Sequence, residues 1–182
     1  NNYTAKANED DEETGIALIR ANTSATVTIR ANDVTINPDD QDGFGGVSAF
    51  GGTVDILADN ISINGNIYSG AVEDRLDPAK GDQKDGSTVN IRLTDSVAGT
   101  LAVKGDVVTY NDSGTQNQVS LTLDNASSSL EGAVKNVDMA GNQVALSGNA
   151  GTSLNLSGGA VWTVTGDSTV KAVNTDGAII NT

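Results

Sequence analysis

Two stretches of this chain repeat one another in phase. Ala25–Asn37 reads ATVTIRANDVTIN, and Gly52–Asn64 reads GTVDILADNISIN. At an offset of 27 they share Thr26/Thr53, Val27/Val54, Ile29/Ile56, Ala31/Ala58, Ile36/Ile63 and Asn37/Asn64, six identities in thirteen positions. Val34/Ile61 and Thr35/Ser62 match in type. Each copy is a strand with apolar residues at i and i+2, a polar corner, and a second such strand.

The pattern recurs with drift. Val89, Ile91 and Asp95 keep the spacing of Val27, Ile29 and Asp33. Leu101, Val103 and Asp106 use one residue fewer before the corner, with Val108 and Tyr110 beyond. Val119, Leu121 and Asn125 return to the longer spacing. Val144, Leu146 and Asn149 use the shorter, followed by Leu154 and Leu156; so do Trp162, Val164 and Asp167. Within Gly159–Ala172, Gly166-Asp167 breaks the run, and Val170 and Ala172 resume it. Asp33, Asn60, Asp95, Asn125 and Asp167 read as structural corner residues, because Asp and Asn bond the turn backbone and can stack as ladders.

One such unit has too few inward side chains to bury its apolar face alone. Stacked copies solve this, with each strand pairing to its counterpart at about 4.8 Å. The expected fold is all-β, a right-handed single-stranded parallel β-helix or solenoid. An antiparallel sandwich is the alternative, but it needs hairpin turns, and Asn64-Gly65 is the only Asn-Gly. A sandwich also gives no reason for like strands to repeat in register.

Composition agrees with a narrow layered core. Aromatic residues are limited to Tyr3, Phe44, Phe50, Tyr68, Tyr110 and Trp162, while Gly numbers 21 in 182 residues. Ten Lys+Arg against 24 Asp+Glu give a net charge of -14, which argues against nucleic acid and anionic membranes as partners. Cysteine and histidine are absent, which removes thiolate chemistry, ordinary zinc sites and His-based proton transfer. A chain without cysteine can also cross an oxidising compartment unfolded. No apolar run reaches a membrane span and no signal peptide is visible, so any export signal is expected outside this piece.

The chain divides as one solenoid segment, 1–182, with first rungs at 15–64, an inserted loop at 65–86 and C-terminal rungs at 87–182. The acids Glu9 to Glu13 read as a solvated end or a guard over the first strand edge. Asn37–Gly52 and Asn64–Gly86 read as long departures from the coil, the second with a short helix over Gly70–Leu76. After residue 87 the copies read as leaner and closer together. The terminal GAIINT reads as an uncapped strand, from which further rungs or another domain are expected after Thr182.

Site signals are weak. Asp39, Asp40 and Asp42, or Glu73 and Asp74 with Arg75, are the carboxylate groupings an enzyme of this architecture could use, but they sit in Gly-rich insertions. No catalytic residue, cofactor or metal site is therefore assigned. Asp40, Asp42 and Gly43 resemble the middle of a calcium loop, yet Pro38 and Ala49 occupy its first and last ligand positions. Lys-Gly-Asp occurs at 80–82 and 104–106, the second as a rung corner. For a host-surface protein or glycan, the mixed charges Glu73, Asp74, Arg75, Asp77 and Lys80 form the candidate contact.

The last third of the chain resembles the C-terminal part of bacterial autotransporter passenger domains, of the AIDA-like and pertactin-like type. The phrases are LTLDNAS (121–127), ALSGNAGTSLNLSGGAVWTVTGDSTVKAV (145–173) and DGAIINT (176–182). Trp162, Val164, Gly166, Asp167, Ser168 and Val170 occupy the positions of the family's Trp-bearing rung; Lys171 to Asn174 depart from it. The resemblance implies type V secretion through the chain's own C-terminal outer-membrane β-barrel. It places this piece in the autochaperone or junction region of a surface protein. It implies adhesion, self-association or host interaction for the whole protein. Trp162, Val164, Val170, Leu154 and Leu156 are the expected folding nucleus. A polysaccharide-active β-helix enzyme and a phage-tailspike-like stalk remain the alternative readings.

Overall fold

The computed structural model describes residues 2–6, 18–37, 45–72, 82–83, 85–95, 97–111 and 114–182. Among them the regular structure is all β, and no helix is long and apolar enough to cross a membrane, which leaves strand-crossing unaddressed. The strands begin with β1 (Asn2–Lys6), β2 (Ile19–Ala21), β3 (Thr26–Asn37), β4 (Gly45–Ala49), β5 (Thr53–Asn64) and β6 (Asn66–Ser69). There follow β7 (Ala71–Val72), β8 (Asp82–Gln83), β9 (Thr88–Leu93), β10 (Thr100–Lys104), β11 (Val107–Tyr110) and β12 (Gln118–Leu123). The last are β13 (Ser129–Glu131), β14 (Val134–Val137), β15 (Gly151–Leu156), β16 (Val161–Thr163), β17 (Ala172–Asn174) and β18 (Ile179–Asn181).

Every pairing between these strands is parallel except the short β7–β8 hairpin. This excludes the antiparallel sandwich. Asn64-Gly65 makes no hairpin either: Gly65 joins β5 to β6, which lie in different sheets. β3 and β5 pair at the offset of 27 read from the sequence, from Thr26↔Thr53 to Ile36↔Ile63.

Beyond β5 the large sheet runs in two tracks. The first half of β5 pairs with β9, then β12, β15 and β17. The second half pairs with β10, then β13, β16 and β18. A second sheet has the order β14-β11-β6-β4-β2. Up to β16 the chain therefore visits the second sheet, the first track and the second track in turn, returning one strand further along, while β17 follows β16 with no second-sheet strand between them.

Like residues stack because the register holds. Ile29, Ile56, Ile91, Leu121, Leu154 and Val173 form one column. Ile36, Ile63, Val103, Leu130, Trp162 and Ile180 form another. From the second sheet Ile19, Val47, Ile67, Val107 and Val134 face them. All but Val173 and Ile180 belong to one buried core between the two sheets. Burial of alternate residues, as in the iBiBiB run at Thr53–Ala58, is what a sheet with one solvated face requires.

The structure corrects the sequence reading in several places. Asn37–Gly52 is not all departure: Gly45–Ala49 is strand β4, buried throughout. Likewise β6 lies inside the supposed 65–86 loop, with Ile67 fully buried. The helix expected from Gly70 fails at Ala71–Val72, which is strand, and its remainder is outside the described residues. Leu101 and Val103 are on the second track, opposite Ile61 and Ile63, and do not restart the unit at Val27. Val144 and Leu146 belong to no strand; residues 138–150 form a connection of their own, so the later part is not uniformly lean. Val170 also lies outside any strand, and the strand resumes only at Ala172.

Candidate functional site

The C-terminal half of the core is built around Trp162. The indole is 5 % exposed and lies between Leu130 and Ile180 in its column. Its Nε1 donates to the Gly132 carbonyl at 3.0 Å, so the polar end of the ring is satisfied while the rest is buried. Leu154 and Leu156 are buried in the same core, and Val164 and Val170 pack against it half-buried. The five residues read as a nucleus thus touch one core.

Gly132 is where Trp162 meets the corner. A Cβ there would lie 2.0 Å from the Gly105 carbonyl oxygen, and a Cβ at Gly105 would lie 2.5 Å from that of Gly65. Three glycines at the turn from the second track to the second sheet therefore stack backbone on backbone. Beside them, Asn66 Oδ1 accepts from the Asp106 amide at 2.8 Å, and Asp106 Oδ1 accepts from the Ala133 amide at 2.9 Å. The other Asp106 oxygen pairs with Lys135. The Lys-Gly-Asp at 104–106 is therefore occupied as a corner.

The remaining corners carry amide ladders. Asn60 Nδ2 donates to Asp33 at 2.9 Å, Asn64 to Asn37 at 2.9 Å and Asn32 to Asp59 at 3.0 Å, and between the strands β15 and β17 Asn174 donates to Asn155 at 2.9 Å. Asp95 accepts from the Val97 amide at 2.8 Å, and Asn125 donates to the Gly99 carbonyl at 2.8 Å. Asp167 is exposed.

The sequence reading missed a buried polar cluster where connections leave the second sheet. Asn111 Nδ2 donates to Asn136 Oδ1 at 2.7 Å, and Asn117 Nδ2 donates to the Tyr110 carbonyl at 2.7 Å. Asn117 Oδ1 accepts from the Ser87 amide at 2.9 Å, and Thr109 Oγ1 donates to Asn136 at 2.9 Å. The side chains of Thr109, Asn111, Asn117 and Asn136 are all buried, and pairing is what makes that tolerable. Further out, Asp85 accepts from the Gln116 amide at 2.6 Å, and Gln116 Oε1 accepts from the Asn149 amide at 2.6 Å. Lys171 Nζ in turn donates to Asn149 Oδ1 at 3.3 Å. These bonds tie successive connections into one ridge. Most of these contacts join chain positions between 22 and 33 residues apart, so no local pattern announces them.

Among the described residues two charged groups are shifted. Burial pushes the Arg20 guanidinium below its ordinary value; it sits 5.5 Å over the Phe50 ring. Asp138 is held below the usual carboxylate range, first by the Asn142 side-chain amide, then by the Asn142 and Ala140 backbone amides.

The candidate contact residues Glu73, Asp74, Arg75, Asp77 and Lys80 lie outside the described residues, as do Asp39, Asp40, Asp42, Gly43 and the acids Glu9 to Glu13. Among the described residues no group of three or more His, Cys, Asp or Glu is placed to hold a metal ion. No protein-family model, curated protein or solved structure matches the chain.

Proposed function

We propose that the chain is a right-handed single-stranded parallel β-helix. On this reading it is the non-enzymatic, membrane-proximal passenger segment of an autotransporter. It is exported through the periplasm and held at the outer membrane by the protein's own β-barrel. Its work is to start passenger folding, assist secretion, and display the rest of a protein used in adhesion, aggregation or host interaction. Handedness follows the rule for crossovers between parallel strands of one sheet.

One observation supports this above the others. The resemblance singles out a Trp-bearing rung, and Trp162 occupies the best-anchored position of its column, buried and hydrogen-bonded to Gly132. In a one-dimensional stack the first rung loses entropy for little burial, and later rungs gain a ready edge. A rung with a buried Trp offsets more of that cost than a rung of Val or Ser.

The test is surface display. The chain is placed before an autotransporter β-barrel, and protease-resistant passenger is measured on intact cells. Trp162→Ala is expected to reduce it strongly, while Thr28→Ala, on an exposed face, leaves it unchanged. Equal display of both variants overturns the proposal.

A further inference from the structure

We propose that Met139 is a reversible oxidation latch that holds a hairpin against the outer side of the second sheet. It is the single methionine of a chain without cysteine, so it is the only sulfur available to a two-electron oxidant. It is half-buried and packs on a small cluster separate from the main core, formed by Val108, Tyr110 and Val137 with Tyr68 beside them. The two tyrosine rings are 6.2 Å apart.

The hairpin that carries Met139 is well defined. Val137 and Gln143 form an antiparallel bridge, and the Val144 amide donates to the Asn136 carbonyl at 3.0 Å. Asp138 accepts from the amides of Ala140 and Asn142, both at 2.9 Å. Asn136 Nδ2 also donates to the Val144 carbonyl at 3.0 Å, so the hairpin root is tied to the buried Asn cluster. Beyond Val137 at its root, Met139 is the hairpin's apolar contribution to the cluster, and the partial exposure of the residue gives small oxidants a route to it.

A hydroperoxide supplies the chemistry. The sulfur lone pair takes one oxygen atom, the peroxide O–O bond breaks, and the oxidant leaves as water or an alcohol. Sulfur is thereby oxidised by two electrons to the sulfoxide. The product is polar and chiral and no longer suits an apolar contact. Dithiol-dependent methionine sulfoxide reductases, one for each epimer, remove the oxygen as water while a dithiol becomes a disulfide.

The experiment treats the whole chain with hydrogen peroxide and follows mass and amide hydrogen exchange. One oxygen is expected on Met139. Exchange at the Asn142 and Val144 amides should rise about tenfold, the scale of a lost sulfur contact, while β5 amides stay unchanged. Both reductases together should restore the original exchange. Met139→Leu, a volume-conserving change, should keep slow exchange and ignore peroxide; Met139→Gln should exchange fast without it. The latch is overturned if Met139 resists oxidation in the folded chain, if the sulfoxide forms without faster exchange, or if Met139→Leu responds like the parent.

Discussion

At the scale of single residues, Trp162 and Gly132 act as a pair. The indole fills its column and its N–H satisfies a carbonyl at a corner too crowded for a side chain. Trp162→Ala should cost about 3–5 kcal/mol. Trp162→Phe keeps most of the volume but leaves the Gly132 carbonyl unpartnered, and should cost about 1–2 kcal/mol. Gly132→Ala puts a methyl group against the Gly105 backbone, which cannot rotate away, and should cost about 2–3 kcal/mol. Urea denaturation of the three variants checks the order; a neutral Gly132→Ala would show that the corner can spread.

At the scale of elements, the connections between the second sheet and the first track depend on buried amides. Asn117→Ala leaves the Ser87 amide and the Tyr110 carbonyl without that partner, and should cost at least about 2 kcal/mol. By contrast, the exposed Asp33–Asn60 rung should show a coupling of only a few tenths of a kcal/mol in a double-mutant cycle, about the experimental limit of additivity. The 138–142 turn carries a pH signature. Because the folded state depresses the Asp138 pKa, its contribution is complete above the unfolded carboxylate value, about pH 4. It is lost as pH falls through the lower folded value. The protection of the Asn142 amide, measured relative to its intrinsic exchange rate at each pH, should therefore fall in acid, and Asp138→Asn should flatten that dependence. Little of this was legible in advance. Asn111, Asn117 and Asn136 look like ordinary loop polar residues, and only their burial against one another distinguishes them.

At the scale of the whole molecule, stability should be graded along the stack. β5 is flanked on both sides along its whole length, whereas β17 and β18 close the large sheet on one side. Val173 and Ile180 on those last strands are 37 % and 42 % exposed, although Leu154 and Trp162, their neighbours one strand upstream, are buried. In the 182-residue chain taken by itself, hydrogen exchange should be fastest at β17–β18, each paired on one side only among the described residues, and slowest in β5, which is paired on both sides. Uniform protection along the chain would mean that it unfolds as one cooperative block.

What the sequence determined by itself was the part of the chain that stacks on near-copies of itself. The 25–37 and 52–64 segments announce their pairing because a column such as Ile29–Ile56 must keep one size and one phase to fill the same layer of core. The parallel register and the inward residues of those two segments could be read from that rule. The second sheet could not. Gly45–Ala49 and Asn66–Ser69 carry small or mixed residues, since their columns run from Ala21 through Ala49, Ser69 and Thr109 to Asn136, and strand signals fade where side chains shrink and become polar. Only tertiary packing decided that these segments are strands and which track each later copy joins. It alone placed the buried asparagines together, because those contacts join residues whose separations follow the varying lengths of the connections.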